Sequence, residues 1–222
     1  MNKLSVLAIA LIALVGLQAQ ASTILMDPST NNGSFEAPTI AYGDPYVSGS
    51  ETFWYTFQAP TGWNFAPNAV GDVALNGSTT VAVPQGSQFA TICNQGWLYQ
   101  SGTCGTFQAD TVYTLTGYGA RDGASTPELV LASGAYGYGS VLPATSAAYE
   151  FVAFQTITVN TSVETQLVGL PIEIVCRSVT GPLDPYTYAM FDNIVLTAAD
   201  VPEPATLTLL GLGSVLFFRR RK

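Results

Sequence analysis

Histidine is missing from the whole chain, and lysine is missing between residues 22 and 200. Over that stretch Arg121 and Arg177 face fourteen of the fifteen acids, a net charge of −12. Without histidine there is no Ser-His-Asp or Cys-His arrangement and no histidine-ligated zinc. Two arginines cannot neutralise a phosphate backbone, so nucleic acid is excluded as a partner. Oxygen ligands are plentiful, which leaves room for a hard cation. Long amphipathic helices are missing too. The runs are short, rich in Val, Thr, Tyr and Phe, and broken by Gly, Pro, Asn and Ser every eight to twelve residues. That is the pattern of an all-β sandwich or barrel. There is no internal repeat and no long linker.

The two ends are addresses rather than fold. Lys3, the apolar run Leu4 to Leu17 and Ala19-Gln20-Ala21 before Ser22 have the layout of a secretory signal peptide over residues 1–21. A retained N-terminal anchor is the alternative. The C-terminal segment, residues 201–222, has three parts: Val201-Pro202-Glu203-Pro204, an uncharged run from Ala205 to Phe218, and Arg219-Arg220-Arg221-Lys222. As a helix rising about 1.5 Å per residue, the run covers only about two thirds of a ~30 Å hydrocarbon layer. Flanking residues stretch it to a marginal transmembrane helix, and the four cations keep its end cytoplasmic as a stop-transfer signal. Pro202 and Pro204 mark where such a helix must start. The arrangement resembles the PEP-CTERM sorting signal of exported bacterial proteins. The resemblance implies recognition by a membrane-embedded exosortase after secretion, removal of the tail, and an envelope or surface location. Residues 22–200 then form one domain.

Three cysteines remain in that domain. Cys93 and Cys104 bracket a turn-rich segment and are expected to close a hairpin loop as a disulfide, worth roughly 3 kcal/mol in the chain-entropy model. Cys176 lies in Pro171-Ile-Glu-Ile-Val-Cys-Arg, where alternation puts Ile172, Ile174 and Cys176 on one face and Glu173 and Arg177 on the other. It reads as a buried thiol acting as a small apolar residue; an exchanged pairing and a nucleophile are the alternatives. Strands are expected at Gly33 to Pro38, at Ser87 to Ile92, at Thr111 to Tyr118 as a central strand, at Tyr149 to Val159 as the longest, and at Tyr186 to Ala198 as the last. Asn76-Gly77, between two short apolar runs, predicts a hairpin turn.

Asn32-Gly-Ser-Phe-Glu36, Gly62-Trp63, Pro84-Gln-Gly-Ser-Gln-Phe89, Tyr113-Thr-Leu115 and Phe191-Asp-Asn-Ile-Val-Leu196 follow in an order that resembles the galactose-binding-like jelly roll of many carbohydrate-binding modules. The resemblance implies a single jelly-roll β-sandwich. It also implies a structural calcium ion near the chain ends, held by Glu36 and Asp192 with backbone carbonyls. Asp192 is anomalous without any resemblance, because aspartate is disfavoured in strands and alternation sets it with Tyr188, Met190, Ile194 and Leu196. Without calcium, Glu36 would be an exposed acid and Asp192 would cap a bulge or meet Arg177.

Flat rings in loop-like or turn-flanked segments are the second candidate site, because aromatic faces stack on sugars: Trp54, Tyr55, Trp97, Tyr99, Tyr136 and Tyr138. Trp63 and most phenylalanines read as core. Catalysis has only paired carboxylates to draw on, with Asp122 and Glu128 beside one loop, and no spacing selects an acid and a base. The expectation is therefore no enzyme, but an exported surface or matrix protein that contacts extracellular polysaccharide. A glycan- or small-molecule-active enzyme and a purely structural matrix protein are the alternatives.

Overall fold

The computed structural model describes residues 22–29, 31–40, 46–48, 51–56, 59–65, 73–78, 80–93, 96–123, 125–142, 147–179 and 187–201. The readings on the signal peptide, on Pro202, Glu203 and Pro204, on the apolar run and on Arg219 to Lys222 lie outside these residues. Among the described residues no helix is long and apolar enough to cross a membrane.

Two sheets carry the chain. The strands are β1 (Thr23–Met26), β2 (Tyr46–Ser48), β3 (Glu51–Thr56), β4 (Asn64–Phe65), β5 (Val73–Ser78), β6 (Gln88–Cys93) and β7 (Trp97–Thr106). They continue with β8 (Thr111–Arg121), β9 (Pro127–Ser133), β10 (Tyr136–Val141), β11 (Val152–Ala153), β12 (Ile157–Asn160), β13 (Pro171–Ser178) and β14 (Tyr188–Asp200). The larger sheet runs β11-β8-β14-β6-β5-β3-β2, with β1 added to β14 and β12 to β8; the smaller runs β10-β9-β13-β7-β4. The jelly-roll sandwich is thus the observed fold.

The core forms where the inward faces of the two sheets meet. In β8, alternation turns Tyr113 and Leu115 inward and leaves Val112, Thr114 and Thr116 half-buried. In β13, Ile172, Ile174 and Cys176 face in, while Glu173, Val175 and Arg177 face out. Phe107, Leu129, Leu131, Phe191, Ile194 and Leu196 complete this layer. Trp63 belongs to it as well, packed on Phe35 with ring centroids 5.0 Å apart.

A second apolar cluster covers the outward face of the larger sheet: Phe53, Val81, Phe89, Ala120 and Met190. The segment 147–151 straps across it. Tyr149, in the left-handed region at φ 61°, donates its backbone N–H to Arg121 O, and its ring packs 5.3 Å from Phe53. Phe151 packs edge-on to Phe89.

Several local expectations are overturned. Gly33 to Pro38 is a loop, because Asn32 and Phe35 adopt left-handed backbone and Phe35 turns into the core. Asn76-Gly77 makes no hairpin turn. Both lie inside β5, where buried Asn76 donates to Thr91 Oγ1 and Gly77 lies opposite Trp54 of β3. Tyr149 to Val159 is not one strand: β11 and β12 pair separately with β8, and the strap precedes them.

The Cys93–Cys104 bridge is not formed either. β6 ends at Cys93 in the larger sheet, whereas residues 97–106 continue as one strand of the smaller sheet and carry Cys104 along it as a free thiol. Cys176 is a buried free thiol, and burial pushes its pKa well above the ordinary thiol value.

Candidate functional site

At one end of the sandwich, the segment 84–88 lies across two carboxylates. Glu36 accepts the backbone N–H of Ser87 at 2.8 Å and of Gln88 at 2.7 Å on Oε1. Gly86 is required there twice over. Its φ is +70°, and a Cβ would sit 2.3 Å from the Glu36 carboxylate. One residue earlier, the Gln85 N–H donates to Asp192 Oδ2 at 2.8 Å.

Asp192 differs from its sequence reading. The register between β14 and β8 shifts between Asp192 and Val195, with Asn193 at φ 50°. This bulge puts Asp192 with Met190 on the outward face, while Ile194 and Leu196 point into the main core. Arg177 does not serve Asp192; it pairs with Glu128 through Nε at 2.5 Å.

Asp192 is fully buried, and among the described residues its Oδ1 has no hydrogen-bond partner. Burial pushes its pKa up from the ordinary 3.8 to about 8; the N–H groups of Gln85 and Asn193 pull the other way and the Glu36 charge raises it further. An orphaned carboxylate oxygen of this kind calls for a proton or a cation. The donor set, two carboxylates with no third His, Cys, Asp or Glu joining them among the described residues, suits an oxygen-preferring ion. Because calcium takes roughly six to eight oxygens, most of its shell would come from carbonyls and water.

Beside Glu36 opens a cleft of about 530 Å³. Its frame is held by Asn32, whose side chain donates to Ala37 O (2.7 Å) and Thr61 O (3.1 Å) and accepts the Ala37 N–H (2.9 Å). The Trp63 indole N–H bonds Asn32 O. The sequence reading quoted Gln85 and Gln88 without giving them a role and passed over Gln100. The inward register of Gln88 and Gln100, on the faces of Ile92 and Leu98, is the signal that singles out those two.

The aromatic candidates separate by face. Trp97 and Tyr99 stand on β7 at successive outward positions, roughly 7 Å apart along the strand. Trp97 lies opposite Arg177 and Tyr99 opposite Val175 and Asn64. Trp97 is 40% exposed. Across the same face, Gly137 and Gly139 of β10 sit beside Val130, and a Cβ at Gly139 would meet the Glu128 carboxylate at 2.5 Å. Tyr136 and Tyr138 lie on the other side of β10: Tyr138 packs against the main core, where burial, followed by its contact with Glu164, raises its pKa to about 12. Trp54 is half-buried at the edge of the larger sheet opposite Gly77, and the Tyr55 side chain lies outside the described residues. Cys104, half-buried on β7, has its pKa raised by burial to about 11.

The PEP-CTERM protein-sorting motif matches residues 200–222, which marks the chain for export to the envelope. No curated protein matches the chain. Among solved structures it is similar to the Stig cyclase Fisc from Fischerella sp. TAU in complex with (3Z)-3-(1-methyl-2-pyrrolidinylidene)-3H-indole, at 18% identity and a TM-score of 0.65, covering 82% of this chain and 100% of that one. An apo form cyclase from Fischerella sp. is similar at 17% identity and a TM-score of 0.62, covering 82% and 98%. The CBM22-1 xylan-binding domain of Paenibacillus barcinonensis Xyn10C follows at 14% identity and a TM-score of 0.46, covering 82% and 99%. At these identities the likeness to the cyclases is one of fold.

Proposed function

We propose that this is an exported component of the cell envelope or extracellular matrix that holds neutral glycan on the outward face of its smaller sheet. The observation that carries the reading is the pair of adjacent rings at successive outward positions of β7, Trp97 exposed and Tyr99 half-buried, with no other described segment laid across them. Rings so placed stack on the C–H faces of successive sugars. Among the described residues the one cation on that face, Arg177, is committed to Glu128, and a body of charge −12 repels acidic chains. Neutral polysaccharide is the class that remains. The acids there are engaged as well, Glu173 with the Ser101 hydroxyl and Glu128 with Arg177, which supports binding over catalysis. Affinity electrophoresis through gels cast with neutral and with acidic polysaccharides tests the reading. Retardation in neutral gels is expected; free passage through all of them would leave a structural matrix protein without a ligand.

Glu36 and Asp192 are the residues that would hold a structural calcium ion, which would supply the charge that Asp192 lacks. The support is the orphaned Oδ1 under the segment 84–88. The tail is proposed to be read by an exosortase and removed, an assignment that mass spectrometry of the mature protein checks directly.

A further inference from the structure

We infer that the cleft beside Glu36 is a second binding site, shaped for one neutral, hydroxyl-rich unit such as the end of a glycan chain. The ligand class rests on the glycan reading above; the cleft stands on its own geometry.

Its floor is Gln100, an amide only 2% exposed. The Gln100 Nε2 is spent on Asn31 O at 3.1 Å. Its Oε1 meets, among the described residues, only the Cys104 thiol at 4.0 Å, a weak donor at the limit of contact. A buried amide oxygen ordinarily takes a full-strength donor. Gln100 lines the cleft, where a ligand hydroxyl can supply one.

The walls fit the same ligand. Thr61 and Thr103 bring hydroxyls with methyl groups beside them, Gln85 brings an exposed amide, and Ala37 and Pro28 add apolar patches. Sugars present that alternation of hydroxyl and C–H surface. Gly62, at φ +84°, keeps the approach to the floor open, since a Cβ there would stand 3.4 Å from the Gln100 amide. Among the described residues no arginine or lysine lines the cleft, so phosphate and carboxylate ligands gain no charge partner there. The volume lies within the roughly 300–1,000 Å³ usual for small-ligand sites and suits one or two sugar units. The Asn32 hydrogen bonds hold the rim before any ligand arrives, which lowers the ordering cost of binding.

The test is a nitrogen-15 NMR titration of the purified protein with D-glucose, D-galactose, D-mannose and D-xylose, with D-glucuronate as the anionic control. At least one neutral sugar is expected to shift the Gln100 and Gln85 side-chain amides saturably in the millimolar range, and glucuronate is not. Gln85→Ala and Thr103→Val, both at exposed rim positions, should weaken that binding at least fivefold with an unchanged melting temperature. Gln100→Met should abolish it, and if that variant melts early the two rim variants carry the result. Absence of shifts with every neutral sugar overturns the inference, as do calcium-induced shifts that no sugar alters, or rim variants that bind normally. Trp97→Ala separates the two sites: lost retention in polysaccharide gels beside intact sugar shifts in the cleft leaves both assignments standing. Retention by the wild type with a silent cleft removes only the second site.

Discussion

The outward faces of the two sheets have opposite fates. On the larger sheet, Phe53, Phe89 and Met190 are roofed by the strap carrying Tyr149 and Phe151, so the face is a second core. On the smaller sheet, Trp97 and Arg177 are exposed and Tyr99 and Val175 half-buried beside two glycines, with no strap over them among the described residues. Both faces present aromatic rings, so ring content alone does not distinguish packing from binding. What separates them is whether another segment of the same chain has come to cover the rings.

The largest expected difference between the faces is in stability. Phe89→Ala on the covered face should cost about 3–5 kcal/mol, as emptied core sites do. Val175→Ala on the open face should cost under about 1.5 kcal/mol. Urea denaturation of both variants measures the gap, and equal losses would erase the distinction.

Next comes the pH response of the covered face, which also holds Asp192. Between its ordinary pKa of 3.8 and its folded value of about 8, the folded protein keeps a proton that the unfolded chain has released. Unfolding then releases a proton, so in chelator stability should be greatest below about pH 4 and fall until about pH 8. Asp192→Asn should flatten the curve. Calcium should raise the melting temperature of the wild type near pH 8 and leave the variant unmoved. A flat wild-type curve in chelator would mean that Asp192 is not the buried acid described here.

A third effect is on binding. Trp97→Ala should lower affinity for neutral polysaccharide at least tenfold and leave the melting temperature in place. Tyr149→Ala should do the reverse, lowering the melting temperature and sparing retention. The smallest effect belongs to the exposed ion pair: Arg177→Met should change stability by under about 1 kcal/mol, since such pairs are screened by water. A larger loss in denaturant titration would give the open face a structural role.

Period-two alternation made β8, β13 and the burial of Cys176 legible, because those strands bury one complete face in the main core. Asp192 could be flagged as an anomaly from strand propensity and alternation, but its direction could not. The bulge at Asn193 turns the strand by one residue, and although asparagine tolerates the left-handed backbone there, the local pattern does not fix where the register shifts. Asn76-Gly77 misled because a buried strand position uses the asparagine for another reason, a side-chain bond to Thr91. The cleft stayed hidden because Gln85, Gln100 and Thr61 come from separate segments that meet only in the fold.

By itself, the sequence determined that the chain carries an export address, an acidic β body, and no means of histidine or polycation chemistry. Those properties follow from which side chains exist, and folding cannot add a residue type. Tertiary structure alone decided which aromatic rings face water, that Cys104 stays unpaired, and that Glu36 and Asp192 share one loop. Each of these depends on how distant segments pack, and local pattern carries no record of the strap or bulge that sets it.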